Sequence, residues 1–317
     1  MQQAVSLLKN ADEIVLLPHT KADGDALGSC FALCAALRKL GKTAYVFPEE
    51  PPQARLGLIV REEYLCDKGY MPKTVVALDC GEIGLLGSRE EAFSGRIDLS
   101  MDHHISNTNF ARINVVDTLA AATGEIVFDL IKELGVTLDE YMVKCLYVSI
   151  ASDTGCFSFS NVTAKTFRIG AELVSIHGNF AAINYDLFDS RTMNQMRAQE
   201  EVLKTLEFFR NNTIASIVIS EEMRKKTGTT QDDTDFFSQV PRRIKGVEVG
   251  ITYKEDVLGS WRVSLRTNGV VDASAVCKEL GGGGHVRAAG AKFSGDLDSV
   301  KELVLSTVNR ALDDVKR

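Results

Sequence analysis

The chain has 317 residues, of which 45% are hydrophobic and 25% charged, and its formal net charge is -7 at pH 7. This composition is ordinary for a folded protein and excludes global disorder, and the length predicts about two domains. The acidic balance disfavours a protein that holds long duplex nucleic acid on a basic surface.

Apolar runs and helical segments alternate along the first half of the chain, as they do in proteins with a parallel β-sheet. The predicted strands are residues 13–18, 43–47, 74–78 and 96–101. The predicted helices are residues 1–11, 26–40, 124–134, 138–152 and 162–177. Because helical crossovers join parallel strands, we expect an α/β catalytic domain over residues 1–185, with helices on both faces of its sheet.

The pattern changes in the second half of the chain. Residues 186–210 are predicted to form a charged linker helix. Strands at 214–219, 247–253 and 261–266 follow, then four glycines that lead into a helix or tight turn, and a final helix at 297–315. This order predicts a smaller α/β domain with a mixed sheet over residues 211–317.

Acidic and histidine side chains follow apolar runs at four places, and they are His19, Asp23, Asp25, Asp79, Asp102, His103, His104 and Asp153. Ligands of open parallel sheets bind at the carboxyl ends of the strands, so we expect these side chains to gather at one edge. Carboxylates and imidazoles together suit divalent ions such as Mn²⁺ or Zn²⁺. Two such ions about 4 Å apart would hold a phosphate between them.

Each segment alone also has a simpler explanation. Asp23 and Asp25 could form only a turn, His103 and His104 a solvated strand end, and Asp79 a helix N-cap. Four such segments in one chain favour a metal site, because each of them ends an apolar run with a residue unsuited to a core.

These motifs resemble the DHH phosphoesterase superfamily, whose name is the triplet found here at Asp102, His103 and His104. The segments around Asp23, Asp79 and Asp153 are similar to the other motifs of the family. The glycine run and the residues after it resemble the signature of the DHH-associated C-terminal domain, which binds substrate. Length and layout are most similar to the bacterial nanoRNase and pAp-phosphatase branch.

The resemblance implies a site with two Mn²⁺ ions, although other divalent metals are compatible with it. The implied ligands are His19 and Asp23 for one ion, Asp25, His103 and Asp153 for the other, and Asp79 as a bridge. His104 would face the scissile phosphate, and Asp102 would orient the histidines. The implied catalytic set is therefore His104, Asp102 and Asp79.

The substrate-binding candidates lie in the second half of the chain. Alternation along the strand at 261–266 places Arg262, Ser264 and Arg266 on one polar face. A guanidinium at the strand end could hold a terminal phosphate, and glycine amides could approach a phosphate closely. The alternatives are a surface arginine and a turn that only needs small residues. The resemblance favours binding by Arg266, Gly282, Gly283, Gly284, His285 and Arg287.

The activity that the resemblance implies is hydrolysis of short oligoribonucleotides, two to five nucleotides long, to mononucleotides, and of pAp to AMP and phosphate. The alternative is a stand-alone phosphodiesterase for cyclic di-AMP or for the linear dinucleotides pApA and pGpG, which shares the catalytic motifs. A non-catalytic nucleotide sensor is less favoured because every proposed ligand is present. The expected partners are short single-stranded RNA, dinucleotides or pAp, and a homodimer is compatible with the sequence.

The expected location is the cytoplasm, with no membrane partner. The seven cysteines include no CxxC pair and lie mostly in apolar stretches, which is typical of reduced thiols. The first residues do not have the pattern of a signal peptide, and no apolar stretch reaches the roughly 18 residues of a membrane span.

Overall fold

The computed structural model describes residues 1–67 and 69–315, without the side chain of His285. The chain divides into two compact units, Met1–Ser190 and Arg191–Arg317. None of the described helices is long and apolar enough to cross a membrane.

The first unit is built on a five-stranded parallel sheet with the order β2-β1-β3-β4-β5. Its strands are β1 (Ile14–Pro18), β2 (Ala44–Val46), β3 (Thr74–Leu78), β4 (Leu99–Asp102) and β5 (Ile113–Val116). Its helices are α1 (Gln2–Asn10), α2 (Gly24–Lys39), α3 (Arg89–Phe93), α4 (Thr123–Glu133), α5 (Glu140–Asp153), α6 (Ala164–Ile176) and α7 (Phe180–Asn184). Short 3-10 turns lie at Ala54–Leu56, Glu62–Tyr64 and Ile83–Leu86.

Packing on both faces explains why β1 and β3 are almost entirely apolar. Every residue of β1 and β3 is buried. The larger core lies on the face covered by α2, α4 and α5, and a smaller core with Leu86 and Phe93 lies on the other face. Strands covered on both sides need no polar face, which is typical of parallel sheets. The predicted α/β fold with helices on both faces is therefore confirmed.

One glycine lets α2 approach α5, and another lets α4 approach α5. A Cβ atom at Gly28 would lie 2.4 Å from the carbonyl oxygen of Cys145 in α5. A Cβ atom at Gly124, in the first turn of α4, would lie 1.9 Å from the Oγ of Ser149. Glycine is thus required where these helices meet, and their close approach brings polar residues of α4 and α5 to the start of α2.

The second unit contains a six-stranded mixed sheet with the order β10-β11-β9-β8-β7-β6, in which only the β7–β8 pair is parallel. Its strands are β6 (Glu207–Phe209), β7 (Ile214–Ile219), β8 (Val249–Val257), β9 (Ser260–Thr267), β10 (Gly283–His285) and β11 (Ala288–Ser294). Its helices are α8 (Met193–Leu203), α9 (Glu221–Thr227), α10 (Ala273–Glu279) and α11 (Leu297–Asp314), with 3-10 turns at Asp232–Gln239 and Pro241–Arg243. The predicted mixed-sheet domain is confirmed.

The structure differs from the sequence prediction at the proposed linker. Residues 186–210 do not form one helix, because a π-helical turn at Tyr185–Asp189 ends before α8 begins, and β6 follows α8. Ala198 and Val202 of α8 pack in an apolar cluster with residues of β7. The charged residues of α8 obscure this narrow apolar face in the sequence, which is why the segment is predicted to be a charged linker helix.

The glycine run also does not lead into a helix. It leads into β10, which pairs with β11 through a tight turn at 286–287. A Cβ atom at Gly284 would lie 2.6 Å from the carbonyl oxygen of Ala288, so the hairpin requires small residues.

Candidate metal centre

Neighbouring strands deliver the acidic and histidine residues to one edge of the parallel sheet. His19 follows β1, Asp79 follows β3, and Asp102 is the last residue of β4. Strand β3 lies between β1 and β4, so the three strand ends are adjacent. The site therefore occupies the position that parallel sheets offer to ligands.

Helix α2 contributes two more carboxylates from its first turn. Asp23 is the N-cap, and its Oδ1 accepts hydrogen bonds from the amides of Asp25 and Ala26 at 3.0 and 3.1 Å. The turn expected at this motif is thus present, and it fixes Asp23 beside His19. Asp79, in contrast, is not a helix N-cap: it lies in the left-handed region with φ +58, and the next helical turn starts only at Ile83.

The side chains form two groups that could hold metal ions. One contains His19, Asp23 and Asp79, and the other contains Asp25, His103 and Asp153. Within each group the candidate ligand atoms lie within 4.8 Å of one another. His104 joins Asp79 and His103 in a third, overlapping combination.

The two oxygens of Asp79 face different groups. Oδ2 lies 3.7 Å from the Nε2 of His19, and Oδ1 lies 3.7 Å from the Nε2 of His103. The same Nε2 of His103 lies 3.2 Å from Asp153 Oδ2 and 3.8 Å from Asp25 Oδ2. A carboxylate placed in this way could contribute one oxygen to each of two ions.

Backbone carbonyls select the ring nitrogen that each histidine presents. The Nδ1 of His19 donates to the carbonyl of Thr20 at 2.6 Å, and the Nδ1 of His103 donates to that of Ala120 at 3.2 Å. Nε2 therefore faces the carboxylates in both residues. In the described part of the chain, the buried Nε2 of His103 makes no hydrogen bond. A nitrogen surrounded by carboxylate oxygens but lacking a hydrogen-bond partner fits a cation.

The charges in the site are strongly coupled. Burial, with the carboxylate of Asp79, raises the pKa of Asp25 to about 7, and burial with the carboxylates of Asp25 and Asp23 raises the pKa of Asp153 to about 7. Burial alone would lower the pKa of His103, but the carboxylates of Asp153 and Asp25 raise it to about 10. Crowded carboxylates hold protons until a cation replaces them.

Asp102 lies apart from both groups. Its Oδ1 accepts from the Nδ1 of His104 at 2.7 Å and from the amide of His103 at 2.8 Å, and its Oδ2 accepts from Asn107 at 2.7 Å. Burial opposes the charge of Asp102, but the hydrogen bond and charge of His104, together with the hydrogen bond from Asn107, lower the pKa of the carboxyl. Asp102 is therefore suited to orienting its neighbours.

Three hydroxyl residues missed by the sequence analysis support the carboxylates. Ser29 and Ser149 both donate to Asp25 Oδ1, and Thr123 donates to Asp79 Oδ1 at 2.8 Å. Ser149 precedes Asp153 by four residues on α5, a spacing that places both on one helix face and could have indicated it. Thr123 begins α4 outside every motif of the family resemblance, and no pattern in the neighbouring sequence indicated a role for it.

The second unit holds the predicted substrate-binding residues. Strand β9 alternates as expected, with Trp261, Val263 and Leu265 in the core. Its polar face contributes Arg262, Ser264 and Arg266 to a cavity of about 270 Å³ that is also lined by Thr252 and Lys254.

Among the described residues, Arg266 has no acidic partner of the kind that the neighbouring cations have. Lys254 pairs with Asp235, and Arg262 pairs with Asp256 at 2.9 Å. The Nε of Arg266 is buried and makes no hydrogen bond within the described residues. Burial, followed by the nearby charge of Arg242, lowers the pKa of Arg266. An anion would satisfy this guanidinium.

The strand register places the remaining candidates near Arg266. Arg266 pairs with Ala288, which in turn pairs with His285, so the three residues lie across adjacent strands. Gly283 and Gly284 belong to β10, Gly282 precedes it, and Arg287 lies in the turn that follows. The side chain of His285 is outside the described part of the protein.

The two units match two family domains. Residues 13–150 match the N-terminal domain of the DHH family, and residues 211–314 match the DHHA1 domain. Among solved structures, an exopolyphosphatase-related protein from Bacteroides fragilis has a TM-score of 0.93 at 21% identity, with 100% of this chain and 97% of that one covered. RecJ from Thermus thermophilus, solved in complex with Mn²⁺, has a TM-score of 0.55 at 15% identity, with 100% of this chain and 54% of that one covered.

Curated relatives match almost the whole length. The bifunctional oligoribonuclease and PAP phosphatase NrnA of Thermus thermophilus is 34% identical, with 98% of this chain and 94% of that protein covered. The probable bifunctional oligoribonuclease and PAP phosphatase NrnA of Streptococcus mutans is 30% identical, with 90% of each covered. Two domains match, and the 34% identity extends over nearly the full length of the chain. Together with the arrangement around Asp102, His103 and His104, these matches show that the chain belongs to the DHH family.

Proposed function

We propose that the chain is a phosphoesterase that hydrolyses short oligoribonucleotides to mononucleotides and pAp to AMP and phosphate. The observation that carries the proposal is the pair of ligand groups around Asp79, whose two oxygens face different histidines. The relatives named as bifunctional oligoribonucleases and PAP phosphatases support the choice of substrates. The expected site of action is the cytoplasm.

The ligand groups suit two divalent cations, and we propose Mn²⁺ as the preferred ion. The first ion would be held by His19, Asp23 and Asp79, and the second by Asp25, Asp79, His103 and Asp153. Imidazole and carboxylate donors together suit Mn²⁺, and the RecJ structure with Mn²⁺ supports the same choice. When bound, two such ions polarise a phosphoryl oxygen and lower the pKa of a water.

His104 and Asp102 complete the proposed catalytic set with Asp79. The hydrogen bond from Nδ1 to Asp102 fixes the ring of His104 beside the ligand groups. We propose that His104 donates a hydrogen bond to a phosphoryl oxygen and stabilises the charge that develops there. Asp102 keeps the ring in that orientation and stabilises its protonated form.

The second unit supplies the proposed substrate-binding residues. Arg266, with its buried Nε and no acidic partner in the described residues, would hold a terminal phosphate of the nucleotide. The backbone around Gly282, Gly283 and Gly284 would approach the nucleotide closely, with His285 and Arg287 beside it. These roles rest on the register that brings β9, β10 and β11 together.

A substrate panel tests the proposal and separates it from the phosphodiesterase alternative. Purified protein with Mn²⁺ is incubated with a labelled RNA dinucleotide, pAp, pApA, pGpG and cyclic di-AMP. We expect mononucleotides from the RNA and AMP from pAp, and no product from the Asp79→Ala variant. Much faster hydrolysis of cyclic di-AMP, pApA or pGpG than of pAp and the other RNA dinucleotide would favour the alternative, and product formation by Asp79→Ala would contradict the assigned site.

A further inference from the structure

One residue at the start of α4 contacts a carboxylate of each ligand group. The hydroxyl of Thr123 donates to Asp79 Oδ1 at 2.8 Å, and its backbone amide donates to Asp25 Oδ2 at 2.7 Å. The amide of Gly124 adds a bond to Asp25 Oδ1 at 3.0 Å. Thr123 is fully buried, so water does not compete for these bonds.

The hydrogen bond from the Thr123 hydroxyl distinguishes the two oxygens of Asp79. Oδ1, which accepts from Thr123, is the oxygen that faces His103, whereas Oδ2 faces His19. Asp79 is only 3% exposed, and its backbone has φ +58. Neither the buried side chain nor the backbone can therefore readily adjust if the carboxylate is displaced. The hydrogen bond from the Thr123 hydroxyl thus restricts the rotation of this carboxylate.

We propose that Thr123 is a positioning residue that fixes Asp79 between the two metal ions and aligns it with Asp25. This inference rests on the proposed metal-dependent function, because it assigns Thr123 a role toward the ions through their ligands. In this proposal Thr123 acts through the carboxylates, because its hydroxyl and its amide both donate hydrogen bonds to them. Groups that hold metal ligands in this way typically contribute about 10- to 100-fold to metal affinity or activity.

The test compares three substitutions in the full-length protein. Thr123→Val removes the hydroxyl, keeps the backbone amide and preserves the shape of the side chain. Thr123→Ser keeps the hydroxyl. Thr166→Val is the matched control, because Thr166 is also fully buried and its hydroxyl donates to a carboxylate, that of Glu125 at 2.6 Å, outside the ligand groups.

Mn²⁺ binding is measured by calorimetry on metal-stripped protein, and the ligand geometry is followed by the EPR spectrum of the bound Mn²⁺. We expect Thr123→Val to weaken Mn²⁺ binding about tenfold and to change the spectrum, because Asp79 loses the hydrogen bond that restricts its rotation. Thr123→Ser and Thr166→Val should bind Mn²⁺ as the unchanged protein does. If circular dichroism shows that Thr123→Val is unfolded, Thr123→Ala carries the same expectation.

Two outcomes would overturn the positioning role. One is Thr123→Val, or Thr123→Ala in its place, with the affinity and spectrum of the unchanged protein. The other is Thr123→Ser binding as weakly as the variant that lacks the hydroxyl. Failure of the proposed function looks different, because the unchanged protein would then bind no Mn²⁺ or hydrolyse none of the panel substrates.

Discussion

Asp102 and Asp153 are both acidic residues close to His103 or His104, yet their surroundings give them different tasks. Asp153 faces the Nε2 of His103 within a ligand group. Asp102 is fully buried, and its oxygens accept hydrogen bonds from His104, Asn107 and the backbone amide of His103. Asp102 belongs to neither ligand group, and its hydrogen bonds from the His103 amide and the His104 ring suit it to orienting these histidines.

Asp102→Asn tests this distinction. The asparagine oxygen can still accept from His104, but the negative charge that stabilises the ring is lost. We expect kcat on an RNA dinucleotide at saturating Mn²⁺ to fall about 10- to 100-fold, with the Kd for Mn²⁺ nearly unchanged. The surface variant Asp129→Asn serves as a control, since Asp129 pairs only with Lys165 among the described residues. A loss of Mn²⁺ binding as large as that of Asp153→Asn would show that Asp102 is a ligand.

Metal binding should release protons and strengthen as the pH rises from 6 to 8. Asp25 and Asp153 have pKa values raised to about 7, so both are mainly protonated at pH 6 and mainly ionised at pH 8. The pKa of His103 is raised to about 10, so a cation must displace its proton across this whole range. Calorimetry in two buffers of different ionisation enthalpy measures the released protons. An apparent enthalpy that is independent of the buffer would contradict this picture of the site.

The sequence could predict the acidic and histidine residues because each one ends an apolar run, and the ends of neighbouring parallel strands meet. It could not predict Thr123. That residue is 44 positions from Asp79 and 98 from Asp25, so its relevance depends on how α2 and α4 pack. The pairing of Asp79 oxygens with different histidines also depends on the positive φ of a residue that is not glycine, which no local pattern indicated.

At the scale of elements, the site depends on the close contact of α2 with α5. Gly28 is the contact point, where a Cβ atom would lie 2.4 Å from a backbone carbonyl that cannot move alone. The contact sets the distance between Asp25, at the start of α2, and Asp153, at the end of α5. The geometry of the second ligand group is therefore a consequence of helix packing.

Gly28→Ala should accordingly lower the free energy of unfolding by about 1–3 kcal/mol, because an added methyl in a filled core forces the helices apart. Denaturant titration of the metal-free protein measures the change. Gly178→Ala is the matched control, because a Cβ atom there meets nothing within 4 Å and the φ angle is not positive. Equal stability of both variants would show that the α2–α5 contact tolerates expansion.

Strands that are buried along their whole length were predictable, whereas four other strands were missed. Every residue of β1, β3 and β7 is buried, so their apolar runs were unambiguous. The sequence analysis missed β5, β6, β10 and β11. The first three have only three or four residues and are defined by pairing with a neighbour, and β11 begins with small residues instead of a large apolar run. The predicted linker failed for the same reason, because the packing of α8 against β7 depends on contacts distant in sequence.

At the scale of the whole molecule, a net charge of -7 opposes the binding of nucleic acid. The structure places four aspartates of that total in the two ligand groups, namely Asp23, Asp25, Asp79 and Asp153. Cations bound there would offset these charges, and in the second unit Arg266 lines a cavity without an acidic partner among the described residues. The formal charge therefore overstates the repulsion that a short RNA would meet.

The central claim is that two divalent ions share Asp79, and anomalous diffraction from crystals soaked in Mn²⁺ tests it most directly. We expect two anomalous peaks, one among His19, Asp23 and Asp79 and the other among Asp25, Asp79, His103 and Asp153. Crystals of Asp79→Ala should show weaker peaks or none. The absence of peaks in the unchanged protein, or a single peak remote from Asp79, would contradict the claim.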